Sequence, residues 1–333
     1  MAERIRFGII GCSDIAKRKT IPAILNSNHA SLHMLGSRSK EKAAQWASEY
    51  HSKFSGTYED VIENDEIDAV YISLPFELQS EWLKKAANSK KHIICEKSIT
   101  TSYESAKTIL DYSKKNKIRI LEAFSFRFHP QHKKTQELIS NEAENFDIFE
   151  AKFGFVSKNK NEFRFNPKLG GSGLNDMGCY AVCASRMSFN QEPESVACNF
   201  IIDPESKIDL KGNFILFFSN GKTAFGSYSY DNFYQSTYSI WGKTSLIELP
   251  RAYAIKPHVN SHILIHTDDG INDIEIPWVD QSQEMIDEFC RVIKNEINSS
   301  FDYEMDFLLQ AKVLEALRIS SKEKRLVKLN ELN

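Results

Sequence analysis

Ile5-Arg6-Phe7-Gly8-Ile9-Ile10-Gly11-Cys12-Ser13-Asp14-Ile15-Ala16 is the stretch on which the reading of this 333-residue chain turns. The run through Ile10 has the apolar character of a buried strand, and a helix is expected to begin near Asp14. A strand, a tight turn and a helix N-terminus in that order aim unpaired N–H groups and the positive end of a helix dipole at one point, which suits an anion. Gly11 permits the sharp turn, Ser13 stands where a second glycine would let backbone approach a pyrophosphate, and Ala16 replaces the third glycine. The same string also fits a βα turn without a ligand, so the segments around it decide. Gly11, Cys12, Ser13, Asp14 and Ile15 are the candidate cofactor turn.

Ser31-Leu32-His33-Met34-Leu35-Gly36 has the pattern of a second strand, and the end of that strand is where a dinucleotide site reads the ribose. An acidic residue there would accept from the 2′-hydroxyl of NAD. The chain instead has Ser37, Arg38, Ser39 and Lys40, which suit the 2′-phosphate of NADP because a guanidinium pairs with phosphate through a fork of donors. The alternative is a solvated basic turn.

Composition bounds the class. The length allows two domains with sizeable cores, and 41% hydrophobic residues are typical of soluble globular proteins. A net charge of -3 argues against nucleic acid as the main partner. No apolar stretch approaches the roughly 20 residues that span a bilayer, and the first residues lack the order of a signal peptide, so a cytoplasmic location is expected. Six cysteines (Cys12, Cys95, Cys179, Cys183, Cys198 and Cys290) are scattered; neither a disulfide nor a metal site is expected.

Short apolar runs alternate with helical stretches up to about residue 122: 69–74, 92–95 and 118–121 read as strands, 79–89 and 101–115 as helices. Such alternation predicts parallel strands joined by crossovers, hence a doubly wound sheet with its ligand beyond the strands' carboxyl ends. From about 147 to 277 the runs 148–155, 212–218 and 223–228 are rich in aromatic and β-branched residues, with a turn signal at Ser219-Asn220-Gly221, which predicts a large, mostly antiparallel sheet. One helix is expected near 174–188, and two more near 281–297 and 303–320. The division is read as 1–122, a dinucleotide-binding Rossmann domain, and 123–333, an α/β domain for substrate and oligomerisation, packed rigidly with a cleft between them.

Two groups carry candidate chemistry. Glu96, Lys97 and Ser98 follow the strand that ends at Cys95, where a lysine can donate a proton or a hydrogen bond to a carbonyl under reduction. The bland alternative is a solvated Glu–Lys pair. The second group is Lys168-Leu169-Gly170-Gly171-Ser172-Gly173-Leu174-Asn175-Asp176-Met177-Gly178-Cys179-Tyr180, a glycine-rich turn opening a helix on which Asp176 and Tyr180 are four apart and therefore on one face. A carboxylate and a phenol so placed can orient a diol, and a cationic Lys97 nearby would favour the phenolate. A capped helix with a core tyrosine is the other reading.

Taken together with Glu122-Ala123-Phe124-Ser125-Phe126-Arg127-Phe128-His129-Pro130 and Trp241-Gly242, these segments resemble the glucose–fructose oxidoreductase, inositol dehydrogenase and rhizopine-catabolism (Gfo/Idh/MocA) oxidoreductases over nearly the full length, particularly the branch with glucose–fructose oxidoreductase and dimeric dihydrodiol dehydrogenases. The resemblance implies a Rossmann domain followed by an α/β domain with an open sheet, and hydride transfer between a nicotinamide and a carbon bearing hydroxyl or carbonyl. It implies Lys97 as the catalytic lysine, Tyr180 as proton donor or acceptor, and Asp176 as a substrate contact. Arg127 and His129 would join the substrate contacts, while Leu74, Pro75, Glu96 and Lys97 would join the cofactor set. It further implies a homodimer or homotetramer built on the outer face of the large sheet. Phe76 and Gln79 depart from the family's Asn and His, Ser98 from its proline, and Phe126 from its tyrosine, which bears on substrate more than on fold. The expected activity is NADPH-dependent reduction, or the reverse oxidation, of a carbohydrate-like substrate, with a nucleotide-linked ketosugar as one form. A dihydrodiol dehydrogenase and a non-catalytic ligand sensor on the same fold are the alternatives.

Overall fold

A computed structural model describes residues 4–141, 146–157, 159–297 and 301–332. The chain divides into two compact units, one of residues 1–125 with 280–308, the other of 126–279 with 309–333.

The first unit is a doubly wound sheet. Strands β1 (Ile5–Ile10), β2 (Ala30–Gly36), β3 (Phe54–Gly56), β4 (Ala69–Ile72), β5 (His92–Cys95) and β6 (Ile120–Glu122) lie in the order β3-β2-β1-β4-β5-β6, every pair parallel. All four residues of β4 are buried, as a strand covered on both faces requires. The helices α1 (Ile21–Asn26), α2 (Lys40–Glu49), α3 (Tyr58–Glu63), α4 (Phe76–Asn88) and α5 (Tyr103–Asn116) supply the crossovers. Their ends follow local chemistry: Ser39 and Ser102 cap α2 and α5, and Thr57 and Asp60 form a reciprocal capping box on α3. The order reverses between β1 and β4, and ligands of such sheets bind at that switch point.

The expected contiguous division at 122/123 differs from this grouping. After the second unit's sheet the chain returns to the first unit as helix α8 (Gln281–Ile293), capped by Asp280, with Met285, Ile286 and Phe289 buried on its packed face. Ser27 hydrogen-bonds Asp287 of α8, and Arg119 pairs with Glu304 through two contacts of 3.0 and 3.2 Å. Helix α9 (Tyr303–Glu323) starts in the first unit and ends in the second.

The second unit is a nine-stranded sheet. Its strands are β7 (Phe146–Gly154), β8 (Ser195–Ile202), β9 (Asp209–Phe217), β10 (Thr223–Ser229), β11 (Gln235–Gly242), β12 (Leu246–Leu249), β13 (Ser261–Thr267), β14 (Gly270–Ile276) and β15 (Val327–Lys328), in the order β14-β13-β12-β11-β7-β10-β9-β8-β15. Among the described residues of this sheet, only β7 and β10 pair in parallel. Residues alternate between a buried face, including Phe149, Phe214, Tyr228 and Tyr238, and an open face that presents Phe217, Phe225 and Trp241. The β9–β10 connection is the expected turn: Asn220 (φ 58°) and Gly221 (φ 77°) both adopt the left-handed region that a tight hairpin demands. Helices α6 (Pro130–Asn141) and α7 (Cys179–Phe189) complete the unit.

Candidate active site

The first unit contributes the turn and the strand ends. Gly11 sits at φ +108°, and a side chain there would stand 2.7 Å from the Ser73 carbonyl, so glycine is required both by conformation and by space. Ser13 does more than replace a glycine. Its hydroxyl donates to Ser73 Oγ (2.8 Å) and accepts from Ala16 N–H (3.1 Å), while Ser73 donates to the Gly11 carbonyl (2.9 Å). The serine pair thus ties the ends of β1 and β4 together at the switch point. The following helix is wound as a π-turn over Ala16–Thr20 before α1 begins.

Cys12 is buried, with its Sγ 3.7 Å from the Gly36 carbonyl, and burial pushes its thiol up despite the opposing charge of Lys42. Lys42 itself donates to the Cys12 carbonyl (2.7 Å) and lies over the Trp46 ring. Asp14 is exposed and pairs with Arg18, and Ile15 is half-buried. At the end of β2, Ser37 is buried, its hydroxyl accepting from Ser39 N–H (3.2 Å), while Arg38 is exposed beside Tyr58. Sequence reasoning missed Lys42, although its position three residues past the Ser39 cap puts it on the turn's side of α2.

Leu74, Pro75, Glu96 and Lys97, all half-buried, lie at the carboxyl ends of β4 and β5, and the Lys97–Ser98 peptide is cis. Tyr71 donates to Glu96 Oε1 (2.5 Å), and burial with that carboxylate holds the phenol well above its ordinary range. Phe76 is buried as the first residue of α4.

The second unit arranges the other group. The expected uniform helix is replaced by a π-turn over Leu174–Gly178, which runs into α7 at Cys179. The wider winding alters the one-face relation expected of Asp176 and Tyr180 at four residues apart. Asp176 is buried and accepts from Arg164 Nε (2.8 Å) and Tyr230 Oη (3.0 Å) on the same oxygen, Oδ2. Burial works against the Arg164 charge, but Asp176 and Glu162 outweigh it and hold the guanidinium even more firmly protonated; burial, then Asp176, raises the Tyr230 phenol. Neither Arg164 nor Tyr230 was picked out from sequence. They come from a 3-10 turn (Phe163–Phe165) and from the residue after β10, at 12 and 54 positions from Asp176, so no spacing rule joins them.

The π-turn is anchored from behind. The Leu174 N–H and the Tyr228 hydroxyl both donate to Asp209 Oδ2 at 2.6 Å. Side chains added at Gly173, Gly178 or Gly212 would stand 2.6 to 2.8 Å from the Tyr228 ring or from the Asp209 carbonyl, so the three glycines leave room for that tyrosine. Burial raises the Asp209 carboxyl above its ordinary range despite these donors.

Tyr180 is half-buried among rings, with centroids 4.9 Å from Phe153, 5.3 Å from Tyr253 and 5.6 Å from Phe126. Arg127 Nη1 lies 3.6 Å from Cys183 Sγ. His129 is wholly buried: its Nδ1 accepts from Gln131 N–H (3.3 Å), and burial lowers it to about 4, so it is neutral at neutral pH. The structure therefore puts His129 in the interior of the second unit rather than at its surface. All six cysteines carry free thiols.

Residues 5–124 match the model of the oxidoreductase family with an NAD-binding Rossmann fold, GFO/IDH/MocA, and residues 144–248 match the GFO/IDH/MocA C-terminal domain. The chain is similar to a dTDP-3,4-didehydro-2,6-dideoxy-alpha-D-glucose 3-reductase of Saccharopolyspora spinosa, at 27% identity over 88% of this chain and 89% of that one. It is also similar to D-xylose 1-dehydrogenase (NADP(+)) 2 of Haloferax volcanii, at 28% identity over 86% and 89% of the two chains. The crystal structure of KijD10, a 3-ketoreductase from Actinomadura kijaniata in complex with NADP and TDP-benzene, superposes with a TM-score of 0.90 at 25% identity, covering 96% of this chain and 98% of that one. The turn at Gly11, the sheet order and the two matched domains agree: the chain belongs to the Gfo/Idh/MocA family of oxidoreductases.

Proposed function

We propose that this oxidoreductase uses NADP(H) to reduce the carbonyl of a sugar derivative, with a nucleotide-linked ketosugar as the preferred form. The observation that carries the cofactor reading is the end of β2, where Ser37 and Arg38 stand in place of an acidic ribose reader. The donor set fits: Arg38 is exposed just past the carboxyl end of β2, and glycine at position 11 lets the turn after β1 close against the Ser73 carbonyl. The substrate reading is supported by relatives named for dTDP-linked ketosugars and for xylose.

A bound nicotinamide supplies or accepts the hydride at the sugar carbon. As the carbonyl carbon gains hydride, its oxygen becomes basic and needs a proton. We assign that proton to the Tyr180 hydroxyl, with the Lys97 ammonium steadying the developing negative charge and Asp176 holding a neighbouring hydroxyl of the substrate. Arg164 and Tyr230 support this reading, since both donate to one oxygen of Asp176 and so fix the carboxylate's orientation. KijD10 is known also as a tyrosine variant and as a lysine variant, each in complex with TDP-benzene and NADP. Arg127 and the neutral His129 are assigned to the substrate side as well.

Among the described residues no helix is long and apolar enough to cross a membrane. Free thiols at all six cysteines favour a reducing compartment, and we place the protein in the cytoplasm. We assign the open face of the large sheet, where Trp241 is 58% and Phe225 40% exposed, to contact with a second copy of the chain.

Oxidation of NADPH against free and nucleotide-linked ketosugars tests the activity. Tyr180→Phe keeps the ring and deletes the proton, and is expected to lower kcat by about 10²–10⁴-fold. Turnover within a few-fold of the parent, with an unchanged pH profile, would remove Tyr180 from the relay.

A further inference from the structure

Strands β4 and β5 stay paired through Ile72 and Cys95, and the Glu96 N–H still donates to the Ile72 carbonyl at 2.9 Å. Beyond that point one chain turns at Leu74-Pro75 into α4, while the other continues through Glu96, Lys97 and Ser98. The Gln79 side chain spans the gap. Gln79, the fourth residue of α4 and wholly buried, donates through Nε2 to the Leu74 carbonyl (3.3 Å) and to the Glu96 carbonyl (3.1 Å). Both hydrogens of the amide are thus used on peptide oxygens at the two diverging strand ends. A flipped amide would set Oε1 against both carbonyls, so the network dictates the orientation. In that orientation Oε1 is buried and has no hydrogen-bond partner among the described residues.

The Glu96 carbonyl belongs to the peptide plane that leads into Lys97. Other ties hold the two ends of this segment: Tyr71 grips the Glu96 side chain, and the Ile99 N–H donates to Glu122 Oε1 at 2.9 Å. Gln79 holds the peptide between them. We propose that Gln79 is a positioning residue, whose amide clasps the Leu74 and Glu96 carbonyls and so sets the direction in which the backbone presents Lys97. The proposal rests on the role given to Lys97 above.

Gln79→Met keeps the length and shape and removes both donors; Gln79→His leaves a neutral ring one N–H, enough for one carbonyl. Hydrogen exchange reads the clasp without any substrate. In Gln79→Met the amides of Glu96 and Ile99 are expected to exchange about 10-fold faster, with β1 and α5 keeping their protection, and Gln79→His falls between. With a substrate the parent turns over, kcat is expected to fall about 10- to 100-fold while KM shifts less than about 3-fold, since small misplacements of a catalytic group cost rate rather than binding. Unchanged exchange at residues 96–99, a uniform rise across the whole first unit, or a kcat within two-fold of the parent would each overturn the proposal. A parent inactive on every carbonyl tried would overturn the substrate reading instead, and the exchange comparison would still decide whether Gln79 holds the strand ends.

Discussion

Tyr228→Phe removes one hydroxyl from behind the π-turn that carries Asp176. The Tyr228 oxygen lies 2.6 Å from Asp209 Oδ2, the ring is 3% exposed, and Asp209 also holds the Leu174 N–H at 2.6 Å. A hydrogen bond to a charged acceptor contributes about 1.5–3 kcal/mol and one to a neutral acceptor about 0.5–1.5 kcal/mol. The substitution leaves the ring, and therefore the packing against Gly173, Gly178 and Gly212, in place, so the hydroxyl is the whole perturbation. Because burial raises the Asp209 carboxyl in the folded state, the native protein binds this proton more readily than the unfolded chain. The stability contributed by Asp209 is therefore fully present below the unfolded value of about 3.9 and falls as pH rises towards the folded value. Deleting a donor to the charged form raises the folded value further and widens that window. Where Asp209 is ionised the variant should lose about 1.5–3 kcal/mol, or about 3–12 °C in the Tm of a unit this size, and the loss should shrink towards about 0.5–1.5 kcal/mol as the pH is lowered from about 8 to about 3 and the carboxyl takes up its proton. Thermal unfolding of parent and variant across that range measures both numbers. A loss that is constant with pH, or larger in acid, would refute the charged-acceptor account of Asp209.

Arg38→Ala is expected to erase a preference for NADPH over NADH of about one to two decades, read by fluorescence titration with both cofactors; tighter NADH binding by the parent would contradict the phosphate contact. Tyr230→Phe leaves Arg164 on Asp176 and removes the second donor, so kcat/KM should fall by about 10-fold or more while the fold is kept, as judged by circular dichroism; an unchanged kcat/KM would make the tyrosine purely structural. The parent should scatter light as a dimer or larger at micromolar concentration, and Trp241→Asp on the open sheet face should shift it towards monomer without loss of secondary structure.

Patterns of period and punctuation made much of the fold legible. Ile5–Ile10 and the turn at Gly11 are read from residue order alone because a buried strand and a positive φ leave local signatures, and Asn220-Gly221 gives away its hairpin for the same reason. Lys97, Asp176 and Tyr180 stood out by their place beside a strand end and a glycine-rich turn. What surrounds them did not. The π-turn over residues 174–178 is held from behind by the Asp209 carboxylate, which takes the Leu174 N–H and the Tyr228 hydroxyl, and a carboxylate 35 positions away leaves no mark in local helix propensity.

Local sequence by itself determined where the strands, turns and caps lie and which residue types stand at the strand ends, because backbone conformation and side-chain period are properties of neighbours along the chain. Tertiary structure alone decided the parallel pairing of β7 with β10, the return of α8 to the first unit, and the meeting of Arg164, Asp176 and Tyr230 on one carboxylate oxygen. These arrangements join residues tens of positions apart, and their energy comes from burial and charge brought together only when the whole chain has closed around them.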